Sequence, residues 1–471
     1  ALAPLLGPFL EGKGPPALII VTADHGEARG DHGEESHGLF AYESTLHVPL
    51  ILWMKGAVAP GSTNDSVRHV DIAPTVLAAA RISKPAGWTG SSLLGVREAG
   101  TPAGSYFEAY STAYNRGWAP LRGMLGDRYK YVDLPVPELY DLNRDPGEQR
   151  NLAAANGEEL RRLARTMAPE SSIASPRSNV ASEDARRLKS LGYLSGNAAV
   201  KKTYGPEDDP KNLVGIDREL HACVDLYQRG ELVQAVALAR RVVAERPTMP
   251  LAYQNLAFLL RQQGASAEAL RTYDEAVGRG VAQEDLMVHF GLALCESGRA
   301  PQAVRVLLPF SESRDPETLN ALGIAYSDSG QPGRAASLFA RTLDLDAGNV
   351  EAYENLGIVH LRGDDAAAAK ESFRRALAID DRLPRAWNGL GVALARLGNE
   401  REAIDSWSRA VVLDPKLYDA LFNLGLTAAK NGMRREARGA LERFVATAPL
   451  TQYAADVQRA RQLLKALGTG S

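Results

Sequence analysis

The sequence predicts two structural classes in one chain: an α/β segment that closes in a small antiparallel unit, then an all-α solenoid of helical hairpins. Three observations predict it. Short apolar runs punctuated by glycine and proline fill residues 1–153, a 34-residue period governs residues 215–450, and a breaker-rich stretch separates the two. At 471 residues the chain is long enough for about three domains. Its 45% apolar and 24% charged content is that of an ordinary globular protein. A net charge of −3 argues against a nucleic-acid partner, which would call for a basic face. No run approaches the ~18 apolar residues of a membrane span. Two cysteines, Cys223 and Cys295, exclude a disulfide framework and a cysteine-built zinc site.

Ala1–Leu10 has no basic region ahead of its apolar residues, so it does not read as a signal peptide. It reads as the last turns of a helix before the breakers Gly12–Pro16, and the chain is expected to be the carboxy-terminal part of a longer protein. Ala17–Thr22 (ALIIVT) is too short for a helix and has the pattern of a strand buried on both faces. Val48–Trp53 is a second such run. Asp71–Ala80 reads as a helix with Pro74 in its first turn. Ser105–Tyr110, Leu121–Leu125, Tyr129–Leu134 and Glu138–Leu142 read as strands, with a hairpin at Gly126-Asp127. Asp145-Pro146-Gly147 stops the last of them.

Residues 154–214 read as a linker with a short helix. Glu158–Met167 can be helical, Pro169–Ser182 is rich in serine, alanine and proline, and Glu183–Leu191 is a helical piece whose Leu188 and Leu191, with Tyr193, leave an apolar stripe. From residue 215 the chain repeats. Anchors fall at Glu219, Tyr253, Met287, Leu319, Tyr353, Trp387 and Leu421, every step 34 residues except one of 32. Small residues follow four positions later, among them Gly291, Gly323, Gly357, Gly391 and Gly425. Alanines follow sixteen later (Ala235 to Ala437), and large residues twenty later, among them Leu307, Phe339, Phe373, Trp407 and Leu441. Small residues where two helices cross, and large ones filling the gap, are the packing of a stacked helical hairpin. The pattern resembles the tetratricopeptide repeat, seven copies over 215–450, with 451–471 as capping helix and tail. The resemblance implies a protein partner on the repeat surface. No Lys/Asn pair of the kind that clamps a terminal carboxylate occupies the first helices.

Four of the eight histidines, His25, His32, His37 and His47, fall within 23 residues. Asp24 and His25 come just past the carboxyl end of the ALIIVT strand, where α/β sheets place ligands. An adjacent carboxylate and imidazole suit a hard or borderline divalent ion. Together, Asp24-His25-Gly26, the Gly-x-His-Gly of Gly30–Gly33, and Tyr42-Glu43-Ser44 ahead of Val48-Pro49-Leu50 look like the carboxy-terminal half of a sulfatase core of the alkaline phosphatase superfamily. So do Val70–Thr75 and the closing series Glu138–Leu142, Asp145–Glu148 and Asn151-Leu152. The resemblance covers residues 1–153.

That resemblance implies a sulfate-ester hydrolase with Asp24 and His25 as metal ligands, the ion being calcium in most of the family, and with His37 contacting sulfate and assisting the leaving group. His47 departs from the family's arginine and is given no role. The family's formylglycine comes from a Cys/Ser-x-Pro-x-Arg motif that is absent here, since Cys223 and Cys295 lie in repeats and Ser175-Pro176-Arg177 lacks the pattern. The nucleophile is therefore expected upstream, and this fragment alone is expected to be inactive. The compartment stays open, the resemblance leaning towards export or the periplasm. Two other functions stay open: a phosphodiester or phosphonate hydrolase or phospho-group transferase of the same superfamily, and a non-catalytic repeat scaffold. The plain readings are that His32 is structural, that Glu27, Glu34 and Glu35 form a solvated acidic loop, that His221, His289 and His360 are scaffold residues, and that Trp387 and Trp407 pack in the core.

Overall fold

A computed structural model describes residues 3–13, 16–63, 66–95, 104–167, 201 and 203–468. These fall into two compact units, divided between Ala252 and Tyr253. The helical piece Glu183–Leu191 and the Ser175-Pro176-Arg177 sequence lie outside the described residues.

In the first unit, α1 (Ala3–Leu10) precedes β1 (Leu18–Thr22), which pairs antiparallel with β2 (Leu50–Met54), Ile20 opposite Leu52. The reading of the ALIIVT strand as buried on both faces is corrected here. Leu18–Val21 are half-buried, and Ile51 of β2 is 58% exposed. A continuous apolar run shows that a strand can accept burial; what packs on it decides whether burial occurs. Next come α2 (Glu43–Leu46) and α3 (Ile72–Ala79). Ahead of α3, buried Asp71 accepts from Arg68 Nη2 and the Ser91 N–H, both at 2.9 Å.

Four strands then form an antiparallel meander in chain order: β3 (Ser105–Ala109), β4 (Leu121–Leu125), β5 (Tyr129–Asp133) and β6 (Glu138–Asp141). The short helix α4 (Ser111–Arg116) joins the first two. The hairpin expected at Gly126-Asp127 closes β4 onto β5, with the Gly126 N–H donating to the Tyr129 carbonyl. α5 (Gly157–Thr166) starts at Asn156, whose side chain caps it, and packs Leu163 on Met124, Tyr131 and Leu139. The turn after β6 is held by side chains: Asp145 accepts from the Arg150 N–H at 2.7 Å, and Asn151 from the Leu139 N–H at 3.1 Å.

Successive strand residues face opposite sides of a sheet, so Lys130 points away from Tyr131 and α5. Its ammonium is fully buried, 2.8 Å from Glu148 and 3.2 Å from Glu43. Glu148 holds a left-handed backbone (φ 53°) and also accepts from the Glu43 N–H at 2.6 Å, at the start of α2. A buried ammonium needs such paired carboxylates, since desolvation alone would cost several kcal/mol. The Tyr-Glu-Ser and Asp-Pro-Gly-Glu motifs, about a hundred residues apart in sequence, therefore meet at one lysine.

The same unit contains α6 (Pro210–Gln228) and α7 (Leu232–Glu245), the first hairpin of the repeats. Asp209, itself buried, caps α6 by accepting from the Lys211 N–H at 3.0 Å.

The second unit consists of helix pairs: α8 (Pro250–Gln262) with α9 (Ser266–Gly278), α10 (Glu284–Glu296) with α11 (Ala300–Leu307), and α12 (Pro316–Asp328) with α13 (Pro332–Leu345). α14 (Val350–Arg362) pairs with α15 (Ala366–Ile379), α16 (Pro384–Arg396) with α17 (Glu400–Leu413), and α18 (Tyr418–Lys430) with α19 (Arg434–Thr447). The expected register holds. The alanines sixteen after each anchor are fully buried from Ala235 to Ala437. A Cβ added at Gly323, Gly357 or Gly391 would lie within 2.7 Å of Phe339, Phe373 or Trp407, each the large residue sixteen positions on from that glycine. α20 (Leu450–Gly468) adds buried Val457 and Ala460 to the core around Phe444. No helix among the described residues is long and apolar enough to cross a membrane.

Candidate active site

The chain leaves β1 at Thr22 and is braced at once: His69 Nε2 lies 2.9 Å from the Ala23 carbonyl. Asp24 and His25 follow, then Gly26, whose N–H donates to the Thr45 carbonyl just beyond β1. A Cβ at Gly26 would overlap the Ser44 carbonyl, so only glycine lets the strand end lie against α2. His25 Nδ1 sits 2.8 Å from the Gly26 carbonyl. A carbonyl can only accept, which assigns the proton to Nδ1 and leaves the Nε2 lone pair free. That Nε2 is 3.7 Å from Asp24 Oδ2. Asp24 accepts the His25 N–H at 3.0 Å, and this backbone bond holds its carboxyl below the usual aspartate range although the side chain is open to solvent.

His37 comes from the loop that follows. Its ring centroid lies 4.0 Å from that of His25, and its Nδ1 is 3.2 Å from Glu27 Oε2. The structure thus brings Asp24, His25 and His37 together and adds Glu27. Among the described residues no group of three His, Cys, Asp or Glu side chains forms a metal cage. The pair does fit a shared ion: two donors each about 2.3 Å from a cation can be as much as about 4.6 Å apart, and these are 3.7 Å apart.

His32 is packed: it stacks on Tyr42 at 3.6 Å, and its Nε2 is 2.9 Å from the Glu148 carbonyl. His47 is 80% exposed. The solvated acidic loop is corrected at Glu34, which is only 3% exposed and accepts from the N–H groups of Leu39 and Phe40. Burial pushes its carboxyl up to about 7, with Asp217 and Glu27 adding to the rise and the two N–H bonds opposing it. Glu27, Glu34 and Lys130 escaped sequence reading because their partners lie at separations with no local period. The only signal for Lys130 was a charge inside an apolar strand.

Residues 30–170 match the family described as N-sulphoglucosamine sulphohydrolase, C-terminal, and residues 320–384, 384–417 and 419–451 match tetratricopeptide repeats. The chain joins a sulfatase-like carboxy-terminal domain to tetratricopeptide repeats. The uncharacterised sulfatase YidJ of Escherichia coli is 34% identical over 140 residues, covering 28% of this chain and 27% of that protein. Arylsulfatase K of Xenopus laevis is 29% identical over 160 residues, covering 31% and 29%. The chain therefore spans under a third of the length of these sulfatases. A tetratricopeptide repeat protein from Parabacteroides merdae is 17% identical over 54% of this chain and 98% of its own, with a TM-score of 0.43.

Proposed function

We propose that this chain is the carboxy-terminal portion of a divalent-metal sulfatase whose repeats bind a protein partner. The arrangement at the end of β1 carries the proposal: an anionic oxygen of Asp24 and a free Nε2 of His25 are presented 3.7 Å apart, beside His37. A carboxylate oxygen with an imidazole nitrogen suits a hard or borderline divalent ion, and the family resemblance makes calcium the candidate, held chiefly through the Asp24 oxygen. A bound ion would polarise the attacking group and stabilise charge on the sulfate oxygens. The Gly26 carbonyl keeps His25 in the ligating tautomer, a partner that orients a ligand as outer-shell groups commonly do. Glu27 fixes the His37 ring through Nδ1 and leaves Nε2 as the atom that meets the ester. The formylglycine nucleophile belongs, on this reading, to sequence outside these residues.

The test is Asp24→Ala in the intact enzyme, with metal content measured by elemental analysis and turnover followed on an aryl sulfate and an aryl phosphate. The expected result is loss of the ion and of aryl sulfate turnover, with the helical circular dichroism unchanged. Undiminished metal content would sink the ligand assignment, and preference for the aryl phosphate would move the reaction to phosphoryl chemistry.

A further inference from the structure

Two neighbouring residues of the first repeat helix act on the loop that carries His37, Arg218 by direct contact and Asp217 through α4. Arg218 Nε on α6 donates to the Gly33 carbonyl at 3.3 Å. A Cβ at Gly33, whose φ is 83°, would come within 2.7 Å of Arg218 Nη2. The position needs glycine for its backbone and for the approach of the guanidinium. Asp217, the preceding residue, pairs with Arg116 at 2.5 Å, the two side chains only 13% and 18% exposed. Arg116 ends α4, and Ser111 at the other end of α4 donates to the Gly38 carbonyl, next to His37. Burial alone would raise the Asp217 carboxyl, yet His221 and Arg116 together hold it below the usual aspartate range. Between these two contacts, buried Glu34 accepts from the Leu39 and Phe40 N–H groups.

We propose that Asp217 and Arg218 are positioning residues for His37, so that a helix of the repeat domain sets the geometry of the hydrolase loop. Arg218 fixes the start of residues 33–38 directly. Asp217 fixes their end through Arg116 and α4. This inference rests on the reading of His37 as the group that faces the ester, but its test needs no substrate.

In the 471-residue chain, Asp217→Asn removes the charge while nearly keeping the shape, and Arg218→Ala removes an exposed side chain. Hydrogen exchange is read at the bonded amides of Glu34, Leu39 and Phe40, and the imidazole NMR signals of His37 are compared with those of His289 in the repeats. Each variant should speed exchange at those amides by about tenfold, the scale of one lost charge-assisted hydrogen bond. The His37 signals should shift in both variants while those of His289 stay put; the melting midpoint should hold in Arg218→Ala and fall in Asp217→Asn, which leaves the buried Arg116 without its anion. Parental exchange at the three amides in both variants would overturn the proposal. So would uniformly faster exchange across β3–β6 with unmoved His37 signals, because the two residues would then stabilise the fold without orienting the loop.

Discussion

Glu34 shows how far one buried side chain can depart from its expected character. Its carboxyl is raised from 4.5 to about 7 chiefly by desolvation. The folded state therefore binds a proton that the unfolded chain releases between those values, and the Glu34 contribution to stability falls as pH rises through the window. Glu34→Gln removes this ionisation. The parent should lose melting temperature relative to the variant on going from pH 5 to pH 8. Equal pH slopes for the two proteins would show that Glu34 does not titrate there. At Asp24 and His25 the sequence named the pair, while the structure supplied the tautomer, through the Gly26 carbonyl, and the separation of the two donors.

At the scale of elements, the repeats place a left-handed residue eleven positions after each anchor. Gly230, Gly264, Gly298, Gly330, Gly398 and Gly432 occupy it with positive φ, and Asp364 occupies it in the remaining repeat at φ 62°. An L-residue with a Cβ is disfavoured there, aspartate less than most. Asp364→Gly should therefore raise stability, because relief of the roughly 1–2 kcal/mol left-handed penalty outweighs the roughly 0.5–1 kcal/mol of chain entropy that glycine costs, read as an upward shift in the urea midpoint. Gly391→Leu should act in the opposite direction, because Trp407 Nε1 already lies 2.5 Å from where its Cβ would go. Overpacking of this kind costs about 1–3 kcal/mol. A neutral Gly391→Leu would mean the helices can separate at that crossing, against the register described above.

At the scale of the whole molecule, a compact unit starts inside the repeats. α6 runs unbroken from Pro210, and its Asp217 and Arg218 find partners in Arg116 and Gly33 of the hydrolase-like segment. A cut at residue 215 would sever α6 in its second turn. Residues 250–468 hold whole helices whose packing is between near neighbours in sequence, the condition under which repeats fold independently. That fragment should be almost wholly helical by circular dichroism and melt cooperatively. A largely unfolded fragment would show that the second unit depends on the rest of the chain.

Everything with a local period or a local breaker was legible in the sequence: the helix pairs, the β4–β5 hairpin, the turn at Asp145, and Asp24-His25 at a strand end. Such features depend on residues within one or two turns of each other, so spacing alone encodes them. The burial of Glu34, the pairing of Lys130 with Glu43 and Glu148, the bracing of His37 by Glu27, and the grip of Asp217 on Arg116 were decided by tertiary structure. Each is an electrostatic partnership that no local period or breaker marks. An ionisable side chain takes its solvation from whatever the fold brings beside it, and no spacing in the sequence records that neighbour.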